Sequence, residues 1–345
     1  MKTNGNGDMR YLRNCWYAAA WSEDLGDDLF ARTLLGEPVV FLRRQDGQVA
    51  ALFDRCPHRF APLSLGERLA GDVIQCRYHG LEFDAGGRCV RNPHSAKGAI
   101  GAIRVPTYKV VERHSLVWIW MGEGEADENL IPDFSCLEDP NYTTLRGTIH
   151  MEANYELVSD NLMDLSHAAY LHKGTIGDDS LSRGELTVSE QGDAIVSELW
   201  IENELATPVW NKHFGDYGKP VDHWLKTRWN APANMLLDAG VTPTGKPRSE
   251  GIQAFGTNLM TPETERTTHY LWATSRSFMR DPAANDRVRA ALEAAFVGQD
   301  KPMIEAVQRR MGAAEFDEMK PLLLASDAGA VLQRRRLKSL IASEK

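Results

Sequence analysis

The chain has 345 residues, of which 43% are hydrophobic and 25% are charged, and its formal net charge is -9 at pH 7. This length exceeds what one hydrophobic core usually supports, and the composition is that of an ordinary globular protein, so two domains are expected. The acidic balance argues against nucleic acid as a partner, and no apolar stretch reaches the ~18 residues that a membrane helix needs.

Short strands joined by tight turns are predicted from residue 32 to residue 120. Val39–Leu42 is a β-branched and aromatic run, Asp46-Gly47 is a hairpin turn signal, and Val49–Phe53 returns as the partner strand. Leu116–Trp120 closes the series as a buried strand. We therefore expect a mostly-β N-terminal domain.

The acidic, glycine-containing stretch at residues 122–128 is the best linker candidate, because Pro132 and Pro140 follow it. It predicts two domains, at residues 1–125 and 126–345. The second domain is expected to be an antiparallel sheet flanked by helices, and the whole chain to be of the α+β class. Its predicted helices cover residues 155–172, 284–311 and 327–342, and its predicted strands cover residues 184–205, 226–241, 252–260 and 267–275.

Two cysteine–histidine pairs in the N-terminal half form a first candidate metal site. Cys56 and His58 follow the pattern C-x-H, and Cys76 and His79 follow C-x-x-H after 17 intervening residues. Zinc fingers generally keep their cysteine and histidine pairs separate, whereas each pair is mixed here. In a Rieske [2Fe–2S] cluster two cysteines hold one iron and two histidines hold the other. The spacing therefore favours a Rieske cluster, with structural zinc as the alternative.

The remaining cysteine usage and the N-terminus bear on the cellular compartment. The five cysteines are sparse and odd in number, and they follow no disulfide-scaffold pattern. Residues 1–9 are polar and lack the apolar segment of a signal peptide. A cytoplasmic location is expected.

Two histidines in the predicted helix at residues 155–172 form a second candidate metal site. In an ideal α-helix His167 and His172 would lie about 140° apart around the axis, so they can share a metal only if the helix distorts or ends between them. Asp164 lies one turn before His167, and its carboxylate is expected to orient that imidazole. Two histidines and one carboxylate form the facial triad of non-haem Fe(II) oxygenases, which leaves positions open for O₂ and substrate.

These motifs resemble those of the Rieske non-haem iron oxygenases. Within that family, four segments are particularly similar to the short-chain group that contains dicamba monooxygenase and the vanillate O-demethylase oxygenase component. They are Cys56–Ser64, Tyr78–Asp84, Asn161–Leu165 and Thr261–Glu265.

The resemblance implies a Rieske domain followed by a helix-grip catalytic domain, in a homotrimer. It implies that Asp300 is the third ligand of a mononuclear Fe(II), beside His167 and His172. It also implies that Asp164 bridges His167 and a cluster histidine of the neighbouring subunit, His79, with Asn161 close to the iron without binding it.

The function that the resemblance implies is that of the terminal oxygenase component of a multicomponent monooxygenase. Electrons from NAD(P)H would pass through a reductase, with or without a separate ferredoxin, and O₂ would oxidise a small aromatic substrate. O-demethylation of a methoxy-aromatic is the expected reaction. The alternatives are methyl or ring hydroxylation, and a Rieske electron-transfer protein without oxygenase activity.

Several of the positions that match the substrate pocket of the dicamba-type enzymes are less polar here than in those enzymes. A carboxylate-binding arrangement therefore cannot be carried over to this chain. The matching positions are Leu225, Thr227, Leu237, Ala239 and Asn258.

Overall fold

The computed structural model describes residues 10–94, 100–174, 176–207, 210 and 218–344. Contacts divide the chain into two compact units, one of residues Met1–Ile131 with Ile341–Lys345 and one of residues Pro132–Leu340. The boundary predicted from the sequence, between residues 125 and 126, lies in the acidic segment that leads up to this division. No helix in the described residues is long and apolar enough to cross a membrane.

The first unit is built from two antiparallel sheets. One has the strand order β1-β10-β9-β4-β3-β2 and the other has the order β5-β6-β7-β8. The strands are β1 (Trp16–Trp21), β2 (Phe30–Leu34), β3 (Glu37–Arg43), β4 (Val49–Phe53), β5 (Glu67–Leu69), β6 (Val73–Gln75), β7 (Glu82–Asp84), β8 (Cys89–Arg91), β9 (Thr107–Arg113) and β10 (Leu116–Trp120).

Local sequence explains the larger of these sheets. β3 and β4 form the predicted hairpin, because Gly47 adopts the left-handed conformation that its turn requires. β1 and β10 are buried along their whole length, and Trp16 and Trp118 are almost fully excluded from solvent. Each such side chain buries roughly 150–250 Å², which stabilises the fold by about 4–6 kcal/mol before its conformational entropy is subtracted.

The second unit is built around one seven-stranded antiparallel sheet with the order β11-β17-β16-β15-β14-β13-β12. Its strands are β11 (Thr143–Met151), β12 (Glu185–Gln191), β13 (Ala194–Leu205), β14 (Pro220–Asn230), β15 (Asn234–Pro243), β16 (Ile252–Thr264) and β17 (Thr267–Arg276). Its described helices are α1 (Tyr155–Met163), α2 (Pro282–Ala295), α3 (Lys301–Met311) and α4 (Ala328–Ser343). The α+β class predicted from the sequence is confirmed.

Four of the predicted elements in this unit are wrong in their extent. The strand expected at residues 184–205 is the hairpin of β12 and β13, because Gly192 adopts the left-handed conformation of a turn between them. The helix expected at residues 155–172 ends at Met163, because the Asp164 side chain caps a separate 3-10 helix, Leu165–Ala169. The strand expected at residues 226–241 is a hairpin, since Pro232 has no N–H to donate within a central strand. The helix expected at residues 284–311 is interrupted by a π-helical turn, Phe296–Asp300, between α2 and α3.

Candidate metal centres

Two loops of the first unit carry the cysteine–histidine pairs, and the two loops are built alike. Cys56 lies between β4 and β5, and Cys76 lies between β6 and β7. In each loop the cysteine N–H donates to the carbonyl five residues further on, and the cysteine carbonyl accepts from the N–H four residues further on, at 2.8 to 2.9 Å. That fourth residue is left-handed in both loops, Phe60 in the first and Gly80 in the second. Because the two loops share these hydrogen bonds and this left-handed residue, the spacings C-x-H and C-x-x-H both occur in the same kind of turn.

The four side chains are sorted by type in these loops. Cys56 and Cys76 are 1% exposed, whereas His58 is exposed and the ring centroids of His58 and His79 are 4.4 Å apart. The cysteines therefore lie together inside and the histidines together outside.

The surroundings of the Cys56 sulfur fit a metal-bound thiolate. Burial and the neighbouring Cys76 thiol raise the pKa of Cys56 to about 11, while the backbone N–H groups of His58 and Arg59 hydrogen-bond to it and lower the pKa. Iron would supply the positive charge that a thiolate in this buried position lacks, and the N–H groups would bond to the bound sulfur.

A single tetrahedral ion does not fit these four residues. The ligands of one zinc ion lie about 3.5 Å from one another. Among the described residues, one group of three or more candidate donors falls within 4.8 Å, and it is the group of His167, His172 and Asp300 in the second unit. A site with two metals, cysteines on one and histidines on the other, fits the arrangement in the first unit.

The first histidine of the second site is positioned by the break after α1. The Asp164 carboxylate accepts from the Ser166 N–H at 3.0 Å and from its hydroxyl at 2.6 Å, which starts the 3-10 helix that carries His167. The Asp164 carbonyl accepts from His167 Nδ1. The expectation that the Asp164 carboxylate orients this imidazole is therefore wrong within the chain, since the backbone carbonyl does so.

The second histidine lies in the turn that follows the 3-10 helix. The carbonyl of His172 accepts from the Gly177 N–H at 3.1 Å. A Cβ on Gly177 would approach the Ala168 carbonyl oxygen to 2.0 Å, so only glycine allows this loop to lie against the 3-10 helix. The turn brings the rings of His167 and His172 to a centroid distance of 5.0 Å, although the two residues would diverge on a regular helix.

The acidic residue comes from the π-helical turn between α2 and α3. Pro302 has no N–H to continue the regular helical bonding, and Gly298 is a weak helix former, so the helix is disrupted here. Asp300 is 6% exposed at the end of this turn. The preceding residue, Gln299, accepts from His172 Nδ1 at 2.9 Å.

The three donor atoms converge in a way that fits a cation. The Nε2 atoms of His167 and His172 are 3.2 Å apart, and Asp300 Oδ1 is 3.7 and 3.3 Å from them. Oxygen acceptors face both Nδ1 atoms, so the neutral rings carry their proton on Nδ1 and present Nε2 lone pairs to each other. Three ligands on adjacent positions of one ion lie about 3 Å apart, close to this spacing.

The electrostatics of the triad also fits a bound cation. Burial lowers the pKa of His172, but the hydrogen bond and the charge of Asp300 outweigh it and raise the pKa overall. The site therefore attracts positive charge even though the His172 side chain is only 3% exposed. The residues present fit a mononuclear iron held by two histidines and one carboxylate.

Two further predicted residues lie beside this triad. Asn161 Nδ2 donates to Asp300 Oδ1 at 3.3 Å, so its amide supports the carboxylate without joining the three donors. Asp164, Asn161 and His167 also line a cavity of about 240 Å³. His167 is the most exposed of the three triad residues, with 20% of its side chain accessible.

The five predicted substrate positions lie on neighbouring strands of the sheet. Leu225 pairs with Ala239 and Thr227 pairs with Leu237 across β14 and β15, while Asn258 is on β16. The first four share one face of the sheet, because side chains two residues apart point the same way. Leu225 and Leu237 pack against the apolar cluster that includes Leu165 and Ala169 of the 3-10 helix. The face beneath the triad therefore carries these positions.

Three residues near the triad were missed from the sequence. Gln299 directly precedes Asp300, and Ser166 is two residues after Asp164. Nothing in the identity of either residue marks it as a hydrogen-bonding partner of the site. Tyr270 donates to Asn258 Oδ1 at 2.6 Å and is fully buried, and burial together with the charge of Asp300 raises its pKa. The alternation of β17 places Tyr270 inside, but sequence alone does not reveal its partner.

Comparison with known protein families and structures gives matches over nearly the whole chain. A Rieske [2Fe-2S] domain model matches residues 15–109, and a vanillate O-demethylase oxygenase C-terminal domain model matches residues 151–343. The oxygenase component of chloroacetanilide N-alkylformylase from Rhizorhabdus wittichii is 40% identical, over 97% of this chain and 97% of that protein. The oxygenase component of dicamba O-demethylase from Stenotrophomonas maltophilia is 41% identical, over 96% of this chain and 98% of that protein.

Solved structures agree with these sequence matches. Dicamba monooxygenase bound to 3,6-dichlorosalicylic acid matches with a TM-score of 0.89 and 41% identity, over 97% of this chain and 98% of that chain. Dicamba monooxygenase with non-haem iron and dicamba matches with a TM-score of 0.83 and 38% identity, over the same shares. These matches rule out the structural zinc alternative, and the electron-transfer alternative fails because the relatives are oxygenase components.

Proposed function

The chain belongs to the Rieske non-haem iron oxygenases of the vanillate O-demethylase type, and we propose that it removes the methyl group from a methoxy-aromatic substrate. As a member of this family it is the oxygenase component of a multicomponent system and carries a Rieske cluster and a mononuclear iron. The observation that supports demethylation best is the similarity to O-demethylase oxygenase components over nearly the whole chain, and the apolar residues Leu225 and Leu237, which pack against the 3-10 helix of His167, fit an aromatic substrate.

The proposed reaction consumes one O₂ and two electrons from NAD(P)H. One oxygen atom enters a C–H bond of the methoxy group, and the other leaves as water. The resulting hemiacetal breaks its carbon–oxygen bond to give a phenol and formaldehyde. The iron, when bound by His167, His172 and Asp300, supplies O₂ activation at open coordination positions.

The side chains around the triad would keep its donors in the required protonation state. The carbonyl of Asp164 and the amide of Gln299 hold protons on the two Nδ1 atoms, so that both Nε2 atoms stay free to bind. Asn161 would hold the Asp300 carboxylate through its N–H. The apolar residues of the sheet face would exclude water from the aromatic ring.

Electron delivery is proposed to reach the triad through Asp164. His58 and His79 lie on the outer side of the first unit, and Asp164 and His167 line a cavity of the second unit. In a homotrimer, His79 of one subunit would approach the Asp164 carboxylate of the next, and the backbone carbonyl of Asp164 would complete the link to His167. The electrons would come from an NAD(P)H-dependent reductase, with or without a ferredoxin. We also propose a cytoplasmic location, which suits cysteines that form no disulfide among the described residues.

A substrate screen tests the proposed reaction. Methoxylated and methylated aromatics would be supplied with NADH and a reductase, and NADH use, formaldehyde release and hydroxylated products would be measured together. Formaldehyde in a 1:1 ratio to phenol from a methoxylated compound is the expected result. Hydroxylated ring or methyl products, together with no formaldehyde from any of the methoxylated compounds, would contradict demethylation.

A further inference from the structure

His223 on β14 is a buried histidine that takes no part in the metal sites described above. It lies two residues before Leu225 and four before Thr227, so all three side chains point to the same face of the sheet. Its cross-strand neighbours are Ile201 and Val241. His223 therefore belongs to the face on which the substrate positions lie.

The imidazole of His223 has no hydrogen-bonding partner in the part of the chain that the structure describes. The residue is 3% exposed, and neither Nδ1 nor Nε2 has a hydrogen-bond partner among the described residues. Buried polar atoms are nearly always paired, because an unpaired one loses its hydrogen bonds to water without replacement. Two atoms on one buried ring that find no partner among the described residues fit a ring that binds a ligand.

The surroundings of the ring determine which partners it can take. The Trp210 ring lies edge-on with its centroid 6.0 Å from that of His223. Burial lowers the pKa of His223 to about 4, and the charge of Asp178 opposes this only in part. The ring is therefore neutral at pH 7, with one N–H donor and one nitrogen acceptor. Asp178 supplies the one charge from the described residues that acts on the ring, and it is negative.

We infer that His223 is a substrate-recognition residue that hydrogen-bonds an uncharged polar group, such as a carbonyl, on the aromatic substrate. The inference rests on the proposed function, because it takes the ligand of this sheet face to be the methoxy-aromatic substrate. A carboxylate is disfavoured because the ring carries no charge and Asp178 is negative. The substrate class is therefore an uncharged alkoxy-arene with a polar substituent, and a carbonyl is the substituent tested.

The position of His223 relative to the triad supports this assignment. Leu225, its neighbour on the same face, packs both with the cluster that includes the 3-10 helix of His167 and with the cluster that includes Trp210. Asp178 follows the loop that carries His172 and caps the next 3-10 helix. A ring that lies over Leu225 would reach towards the triad on one side and towards His223 on the other.

Binding of three matched ligands by the iron- and cluster-loaded protein tests the inference. The ligands are methoxyacetophenone, ethylanisole, in which CH₂ replaces the carbonyl, and methoxybenzoate, each as its ortho, meta and para isomers. Isothermal titration calorimetry measures their affinities. We expect wild type to bind one methoxyacetophenone isomer about 10- to 100-fold more tightly than the matching ethylanisole and methoxybenzoate, the size expected for one buried hydrogen bond.

Variants of His223 connect that preference to the imidazole. His223→Phe keeps a planar ring beside Trp210 and should abolish the preference for the carbonyl. If the phenylalanine ring disturbs packing, His223→Leu is used in its place. His223→Gln keeps one donor and one acceptor and should retain part of the preference. His150→Phe is the matched control, because His150 is half exposed and pairs with Glu263 on the surface. The cluster spectrum and the iron content verify that each variant is folded.

The outcomes separate this inference from the proposed function. An unchanged preference in the phenylalanine and leucine variants, a wild-type preference for the benzoate, or no binding of any ligand would overturn the role of His223. Formaldehyde release is measured on the same samples. Carbonyl-dependent binding that needs His223 but gives no formaldehyde would support the inference and contradict demethylation.

Discussion

Replacing Gln299 with leucine tests whether the partner of His172 controls metal binding. Gln299 Oε1 accepts from His172 Nδ1 at 2.9 Å, and the His172 side chain is only 3% exposed. Without the acceptor, a buried N–H is left unpaired at a cost of about 1–3 kcal/mol, or the ring moves its proton to Nε2 and loses its ligand atom. Either change should weaken Fe(II) binding about 10- to 100-fold.

A chelator-competition titration of the metal-depleted protein with Fe(II) measures this effect directly. Gln299→Glu keeps an oxygen acceptor and should bind Fe(II) within about threefold of wild type. Gln191→Leu is the matched control, because the Gln191 side chain is exposed on β12 and donates to the Ser189 hydroxyl, away from the triad. A Gln299→Leu variant that binds Fe(II) with wild-type affinity would refute the proposed role of this hydrogen bond.

Three further predictions concern the triad, the electron path and stability. His167→Ala should keep the visible spectrum of the cluster and lose substrate-dependent O₂ use; turnover equal to wild type would contradict its role. Asp164→Asn keeps the oxygen that accepts from Ser166, so both metals should stay bound while single-turnover iron oxidation slows at least tenfold, and loss of either metal would disprove this. Arg334→Met removes the cation that pairs with the partly buried Asp160 and Glu156, while Gln333 still donates to Asp160, and should lower the free energy of unfolding by about 3 kcal/mol at pH 7. Burial already raises the pKa of both carboxyls, so protonation favours the folded state and this loss should shrink as pH falls from 7 to 5; an equal loss at both pH values in urea unfolding would refute it.

The cluster residues could be predicted from the sequence because each loop is short and local. Cys56 and His58 are two residues apart, and Cys76 and His79 are three apart, so spacing alone limits where their side chains point. The strands that hold these loops also carry clear turn signals. What the sequence did not reveal is that Phe60 and Gly80 give both loops the same turn.

The iron triad could be predicted only in part, because its geometry depends on two helix interruptions. The spacing of His167 and His172 requires a break, but the place of the break depends on how the Asp164 side chain bonds. Asp300 came from resemblance alone, since the π-helical turn that directs it inwards leaves no periodic signal. His223 was missed because a histidine in an apolar strand is usually a residue of the core.

The distribution of the three donors along the chain has a consequence for folding. His167 and His172 precede the strands β12 to β17, and Asp300 follows them, so one ion bound by all three closes a loop that contains most of the sheet. Such a cross-link stabilises the native state by restricting the unfolded chain, and its binding free energy is partly folding free energy. Iron affinity is thereby linked to the cohesion of the whole second unit. Substitutions in distant strands that loosen the sheet should weaken metal retention without touching any ligand.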